Sequence, residues 1–190
     1  MAEEPLPFAI DPEVVARRRA ALAHVRMWGD PVLRAGALAV ERFDADLRGE
    51  VARMTSLMDD AIGAGLAATQ LGVLHRLLVY RRDPDTPVRA LVNPELEWAS
   101  DEREVFHEGC LSLPGVWLGV ERPVSVRVRA RDEHGAEVFL EADGVEASVV
   151  QHEMDHLDGV LILDRTTREQ RRDAIRLLRE RASAPSADLA

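Results

Sequence analysis

Two histidines have the type and spacing needed to hold a metal ion. His152 and His156 stand four positions apart in the sequence His-Glu-Met-Asp-His. On an α-helix this spacing puts both side chains on one face, with Cβ atoms roughly 5–6 Å apart, and two imidazoles can then converge on one ion. Unpaired polar groups on a buried helix are costly. The spacing therefore predicts a metal site, with a hydrogen-bonded core pair as the alternative.

Cys110 is the only cysteine and is the predicted third ligand. One thiolate and two imidazoles leave a fourth position open for water, which is typical of catalytic sites, whereas four protein ligands are typical of structural sites. A bound divalent ion can lower the pKa of its water to about 7. Two alternatives remain open: Cys110 is a buried small hydrophobe, or His107 closes the site as a fourth ligand.

Glu153 follows the first histidine directly and is the candidate general base for the water. The alternative is a solvent-exposed glutamate in a salt bridge. The remaining helix residues are largely apolar, with Val150, Met154 and Leu157 along one stripe. A spare exposed carboxylate is less expected on such a helix, so the pattern favours metal-dependent hydrolysis.

The elements that must position these residues are predicted to be helices and β-hairpins in an α+β fold. Turns separate the strand-like segments, so the sheets should be antiparallel and should surround a buried central helix that carries the histidines. The sequence predicts strands at residues 76–81, 88–93, 124–130 and 136–142, and a short one at 160–163. It predicts a first helix at residues 12–26, a second that begins after an N-cap at Asp44, and a last one at residues 167–181. The third predicted helix begins at an N-cap at Asp143, with the Glu146 side chain reaching back to the cap, and ends before a left-handed Gly159.

Length and charge limit the possible function classes. The 190 residues fit one domain, predicted to span residues 1–181 and to be followed by a disordered tail at 182–190. The formal net charge of −10 disfavours general binding to DNA. The apolar runs are too short to cross a membrane and no signal peptide opens the chain. We therefore expect a cytoplasmic protein without a membrane partner.

Three segments together resemble the peptide deformylase family. The stretch Gly63-Ala64-Gly65-Leu66-Ala67-Ala68-Thr69-Gln70 is similar to its glycine-rich motif, residues 108–114 (Glu-Gly-Cys-Leu-Ser-Leu-Pro) to its cysteine motif, and residues 151–159 to its helix motif. The three occur in the family's order, and the similarity extends over about residues 25–179. Ala64 departs from the family pattern, which has a larger branched residue there, and this bears on substrate fit.

The resemblance implies hydrolytic removal of the formyl group from the N-terminal N-formylmethionine of new polypeptides, with release of formate. It also implies one ferrous ion (Fe²⁺) per chain, replaceable by Zn²⁺, Ni²⁺ or Co²⁺; the ligand types alone do not select iron. The implied site residues are Cys110, His152 and His156 as ligands, Glu153, Gln70 and the backbone N–H of Leu111 in catalysis, and Gly63, Ala64 and Gly65 against the substrate.

The last predicted helix is rich in arginine although the protein as a whole is acidic. In deformylases with a helical C-terminus, this element can dock near the ribosomal exit tunnel, so the resemblance implies the ribosome as a partner. The alternative is a solvated amphipathic helix. The arginines are Arg168, Arg171, Arg172, Arg176, Arg179 and Arg181.

Overall fold

The computed structural model describes residues 11–183, which form an α+β fold, as predicted. The helices are α1 (Pro12–Leu22), α2 (Ala45–Asp60), α3 (Gly144–Leu157), α4 (Ile162–Arg165) and α5 (Arg168–Ser183). The strands are β1 (Gly65–Ala67), β2 (Leu77–Tyr80), β3 (Arg89–Ala99), β4 (Arg103–Cys110), β5 (Leu113–Pro123), β6 (Ser125–Arg131) and β7 (Glu137–Asp143). Short 3-10 helices occupy Pro31–Arg34 and Ala68–Leu71.

All strand pairs within residues 11–183 are antiparallel, which confirms the hairpin prediction. Five strands form one sheet in the order β1-β2-β3-β6-β7, and β4 pairs with β5 in a separate hairpin. The short strand β1 lies at one edge of the larger sheet. This leaves its outer side without a strand partner among the described residues.

The histidine helix α3 is buried against the larger sheet. Val150, Met154 and Leu157, the predicted apolar stripe, pack with sheet residues such as Leu78 and Leu91 in one core cluster. The buried side of α3 thereby fixes the helix, while its histidines turn toward the β4–β5 hairpin. This arrangement confirms the predicted central helix.

The helix ends agree with the sequence at two positions. The Asp44 side chain accepts hydrogen bonds from the N–H groups of Asp46 and Leu47, which makes it the N-cap of α2. Gly159 lies just beyond α3 with φ of 72°, and an added Cβ would come within 2.7 Å of the Arg34 carbonyl oxygen. Only glycine fits there without strain.

Three helix predictions were wrong in detail. The first helix ends at Leu22 and not at residue 26, because the backbone N–H of Arg26 bonds to the Gln70 carbonyl at 2.7 Å. Asp143 occupies the predicted N-cap position of α3, but its side chain makes no capping hydrogen bond; it is also the last residue of β7. Glu146 does not reach back either, since its carboxylate accepts from the Tyr80 hydroxyl at 3.1 Å.

The predicted strand at residues 160–163 is wrong. This segment leads into the short helix α4, where the Asp164 carboxylate accepts the N–H of Leu161 at 3.0 Å. The last helix continues to Ser183, so the first two residues of the predicted tail are helical. Residues 184–190 of that tail lie outside the described residues, as do residues 1–10.

Strands β1, β4 and β5 were not predicted from the sequence. The burial of β5 alternates along much of its length, with Val116, Leu118 and Val120 facing inward, so a period-two search would have found it. Within residues 11–183, no helix combines the length and apolar character needed to cross a membrane.

Candidate active site

Three potential metal-donor atoms, from one helix and one strand, lie close together. Helix α3 carries His152 and His156, and Cys110 ends strand β4. One ligand atom from each lies within 4.8 Å of the other two. The Cys110 Sγ atom is 3.2 Å from the Nε2 atom of His156. Both histidines are buried, so this is an inward-facing cluster and not a surface coincidence.

The donor set fits a divalent metal ion. One thiolate and two imidazoles suit iron, zinc, cobalt and nickel. Beside them, the Oε2 atom of Glu153 and the Nδ1 atom of His156 are buried without a hydrogen-bond partner among the described residues. Unpartnered buried polar atoms are costly, and an ion with its water would give the Glu153 carboxylate a partner.

The structure does not bring His107 to these donors. His107 is exposed on β4, while its neighbour Glu108 is buried, because successive side chains of a strand point to opposite faces. Among the described residues, the candidate ligand group contains only Cys110, His152 and His156. A closed site with His107 as fourth ligand is therefore not supported.

Glu108 is a site residue that the sequence analysis missed. Its Oε2 atom lies 2.8 Å from Nδ1 of His152, and it also accepts from Ser148 Oγ at 2.9 Å and from Arg122 Nη2 at 2.9 Å. Burial works against ionisation, but hydrogen bonds from Arg122 and His152 prevail and lower the pKa of Glu108 to about 2. The carboxylate therefore holds the His152 ring so that its Nε2 atom faces Cys110.

A buried ion-pair network extends from this carboxylate. Arg122, only 4% exposed, bonds to Glu108 and, through Nη1, to Asp155 at 3.0 Å. Asp155 also accepts from Arg165 at 2.6 Å. Glu108 could have been found by its place two residues before Cys110 on one strand. Arg122 gave no signal, because a charged residue in a strand is normally predicted to face solvent.

The pKa values of the two histidines are shifted in opposite directions. For His152, burial lowers the pKa, but hydrogen bonds to Cys110 and Glu108 raise it well above its usual value. For His156, burial and the nearby charge of His152 lower the pKa well below its usual value. The Nε2 atom of His156 is thus available as a neutral ligand.

Glu153 lies in the protein interior and not at the surface, which contradicts the salt-bridge alternative. It is 4% exposed, and burial raises its pKa to about 7. Strand β1 passes directly over it: a Cβ at Gly65 would lie 2.6 Å from Glu153 Oε1. The absence of a side chain at Gly65 is therefore what allows the carboxylate to occupy this position.

Gln70 lies next to the donors with a fixed orientation. Its Oε1 atom accepts from the Ala67 N–H at 3.0 Å, which turns the amide nitrogen toward Ser112 Oγ at 3.1 Å and Cys110 Sγ at 3.7 Å. Gln70 is 1% exposed. It thus presents an N–H donor beside the cysteine, as an oxyanion donor should.

A cleft of about 510 Å³ connects these groups to solvent. Its floor contains Cys110, His152 and Glu153, and its walls include the 3-10 residue Gln70 and the loop residue Leu111. The segment of residues 63–65 forms part of one wall. Eight of the nine predicted site residues line this cleft. The ninth, His156, lies behind it in contact with Cys110.

Comparisons with known proteins agree with this site. The family model for polypeptide deformylase matches residues 22–172. A peptide deformylase of Acidothermus cellulolyticus is 46% identical over 160 residues, which cover 84% of this chain and 87% of the relative. The crystal structure of a Legionella pneumophila peptide deformylase has a TM-score of 0.79 at 36% identity, covering 85% of this chain and 98% of that one.

The structure of a Synechococcus elongatus peptide deformylase, determined in complex with actinonin, has a TM-score of 0.78 at 42% identity. The alignment covers 84% of this chain and 88% of that chain. The fold, the site and the sequence matches lead to the same conclusion. The chain belongs to the polypeptide deformylase family of metal-dependent hydrolases, which remove the N-formyl group from nascent polypeptides.

Proposed function

We propose that this chain hydrolyses the formamide of N-formylmethionyl peptides. The observation that carries the proposal is the convergence of Cys110, His152 and His156 within 4.8 Å at the floor of a solvent-connected cleft that also contains Glu153. In the reaction, water adds to the formyl carbon, the C–N bond breaks, and formate and the free α-amine are released.

The proposed ligands hold one ion per chain, with ferrous iron as the natural metal and zinc, nickel or cobalt as replacements. When bound, the ion supplies a Lewis acid that makes water acidic enough to be a nucleophile near neutral pH. The protein prepares the ligands through Glu108, whose hydrogen bond to Nδ1 fixes the tautomer of His152. Both imidazoles then offer Nε2 beside the cysteine sulfur.

Glu153 is the proposed proton carrier. Its carboxylate takes a proton from the attacking water and delivers it to the departing amine nitrogen. Its buried position supports this role, because a pKa raised to about 7 favours both uptake and release of a proton near neutral pH. Its Oε2 atom has no competing hydrogen-bond partner among the described residues.

Gln70 and Leu111 are the proposed oxyanion donors. Attack on the formyl carbon places negative charge on the former carbonyl oxygen, and the Gln70 amide and the Leu111 backbone N–H stabilise it. The bond from Ala67 N–H to Gln70 Oε1 supports this assignment, because it holds the amide in the donating orientation before substrate arrives.

The proposed substrate-binding segment is Gly63, Ala64 and Gly65. This segment leads into β1, whose outer edge is unpaired in the described sheet, so an extended peptide can add to it as a further strand. Ala64 is exposed beside this edge. Its small side chain leaves more room for the substrate than a branched residue would.

Formate release from matched peptides tests the proposal. Anaerobically purified, iron-loaded enzyme should release formate from formyl-Met-Ala-Ala and should leave acetyl-Met-Ala-Ala intact. Cleavage of the acetyl peptide or of an internal peptide bond, without formate release, would identify a different hydrolase. Absence of turnover on all of these peptides by metal-loaded protein would refute the proposal.

We place the chain in the cytoplasm, with residues 1–181 as one domain, and propose that α5 docks on ribosomal RNA. Support comes from the exposed arginines of α5, whose apolar side, including Ala174 and Leu178, is buried against β5. Replacing Arg168, Arg172 and Arg176 by glutamate should reduce ribosome co-sedimentation at low salt. Unchanged co-sedimentation would refute the docking proposal.

A further inference from the structure

One arginine from the N-terminal helix lines the active-site cleft. Arg18 and Leu22, one turn apart on α1, both contribute to the wall of the cleft that ends at Cys110, His152 and Glu153. Arg18 precedes residue 22, where the match to the family model begins. The family resemblance therefore assigns nothing to this side chain.

Arg18 is a cation without a carboxylate partner among residues 11–183. It is half-buried, and within residues 11–183 it makes no ion pair or side-chain hydrogen bond. The two carboxylates that line the same cleft, Glu108 and Glu153, are buried at its floor, and Glu108 is already bonded to Arg122. The chain has a net charge of −10. A guanidinium that lines the cleft and pairs with no described carboxylate is available for an anionic group that enters it.

The position of Arg18 along the cleft follows from two contacts. Gly65 lies against Glu153 and therefore marks the reacting end of the substrate-binding segment. The neighbouring Arg17 reaches Asp60, the last residue of α2, at 3.9 Å. Helix α1 thus lies beside the opposite end of the segment, where α2 leads into Ile62 and Gly63. Arg18 borders the part of the cleft that is distant from the reacting atoms.

The distance along this segment sets which substrate residue reaches Arg18. A peptide paired with residues 63–65, with its formyl group at the Gly65 end, runs antiparallel past Ile62. Each residue of an extended peptide advances about 3.3 Å, so the third and fourth residues lie roughly 7 and 10 Å beyond the methionine. The third and fourth residues of a formyl-Met peptide therefore come next to Arg18.

We propose that Arg18 is a specificity-determining residue that binds an acidic side chain at the third or fourth position of the substrate peptide. The inference rests on the proposed deformylation of formyl-Met peptides and extends it to a preferred substrate class. A partly desolvated ion pair of this kind is expected to favour the acidic peptide by roughly three- to tenfold. Salt should weaken the preference, because the cleft is open to solvent.

The test compares peptides that differ in one charge. The ratio of kcat/KM for formyl-Met-Ala-Glu-Ala to that for formyl-Met-Ala-Gln-Ala is measured, together with the pair carrying Glu or Gln in fourth place. The ratio should exceed about three for one pair in the unmodified enzyme and fall toward one in 0.5 M NaCl. It should fall to about one in Arg18→Gln and below one in Arg18→Glu.

Arg19 supplies the matched control. It is exposed on the same helix and does not line the cleft. Arg19→Glu therefore changes the net charge by the same amount as Arg18→Glu but should keep the wild-type ratio of kcat/KM values. The inference would be overturned if wild type and Arg18→Gln had the same ratio of kcat/KM values. It would also be overturned if Arg19→Glu lost the preference for the acidic peptide as fully as Arg18→Glu. Peptide dissociation constants measured with the Glu153→Gln variant give the same comparison without turnover. Suppose these dissociation constants show a preference for the acidic peptide that requires Arg18, while the wild-type enzyme releases no formate. That result would refute the proposed function and retain the Arg18 assignment.

Discussion

Replacing Glu108 by glutamine should weaken both the metal site and the fold. The carboxylate accepts hydrogen bonds from His152, Ser148 and Arg122 and is 7% exposed. Glutamine has nearly the same shape but carries no charge, so the buried Arg122 guanidinium loses one of its two counter-charges. The substitution therefore separates the electrostatic role of Glu108 from its packing role.

The size of the effect follows from the pKa of Glu108. The folded value, about 2, lies below the ordinary 4.5. At about 1.4 kcal/mol for each pH unit, this difference corresponds to about 3 kcal/mol of folding free energy. Because the folded pKa is depressed, this contribution is present above pH 4.5 and is lost as the pH falls toward 2.

Two assays measure the consequences. Urea unfolding of metal-free wild type and Glu108→Gln at pH 7, 5 and 3.5 should show a difference of about 3 kcal/mol at pH 7 that narrows at pH 3.5. Competition with a chelator should show Zn²⁺ affinity reduced by about 10- to 100-fold. Glu104→Gln, at an exposed position of the same strand, is the control and should change neither quantity.

Two results would refute this reasoning. Zn²⁺ affinity equal to that of wild type would mean that Glu108 does not orient His152 for the metal. A stability difference that stays constant from pH 7 to pH 3.5 would mean that the loss comes from packing and not from the ionised carboxylate.

Further predictions concern the catalytic groups. Glu153→Gln should keep the metal and lose about 10²- to 10⁴-fold in kcat; near-wild-type turnover would refute the base assignment. Gln70→Ala should lower kcat by about 10²- to 10³-fold with metal content unchanged, whereas an effect on KM alone would exclude the oxyanion role. Burial raises the pKa of Glu153 to about 7, and a bound cation lowers the pKa of a nearby carboxylate, so kcat/KM should fall on the acid side with a midpoint below 7. A pH profile that stays flat from pH 7 to pH 4.5 would contradict this.

Much of the site could be predicted because its residues are close in sequence or have no alternative. The four-residue spacing of His152 and His156 determines their shared helix face, and Cys110 is the only thiol that could join them. The fold class followed from the alternation of strands and turns. These features depend on local backbone geometry, which can be predicted from the spacing of residue types in the sequence.

The groups that support the ligands could not be predicted in the same way. Arg122 is inward-facing only because Glu108 and Asp155 from other elements neutralise it, and that arrangement exists only in the folded chain. The segment at residues 160–163 has the composition of a strand but forms part of a helical turn, because Asp164 caps it and pairs with Arg34. In each case a long-range contact overrides the local preference.

The metal coordination itself is the most direct test of the account. X-ray absorption at the metal edge, together with metal analysis of anaerobically purified protein, reports the number and type of ligands. We expect about one iron per chain, bound by one sulfur, two imidazole nitrogens and an exchangeable oxygen, with the sulfur signal lost in Cys110→Ala. A first shell without sulfur, or one filled by four protein donors, would contradict the proposed open catalytic site.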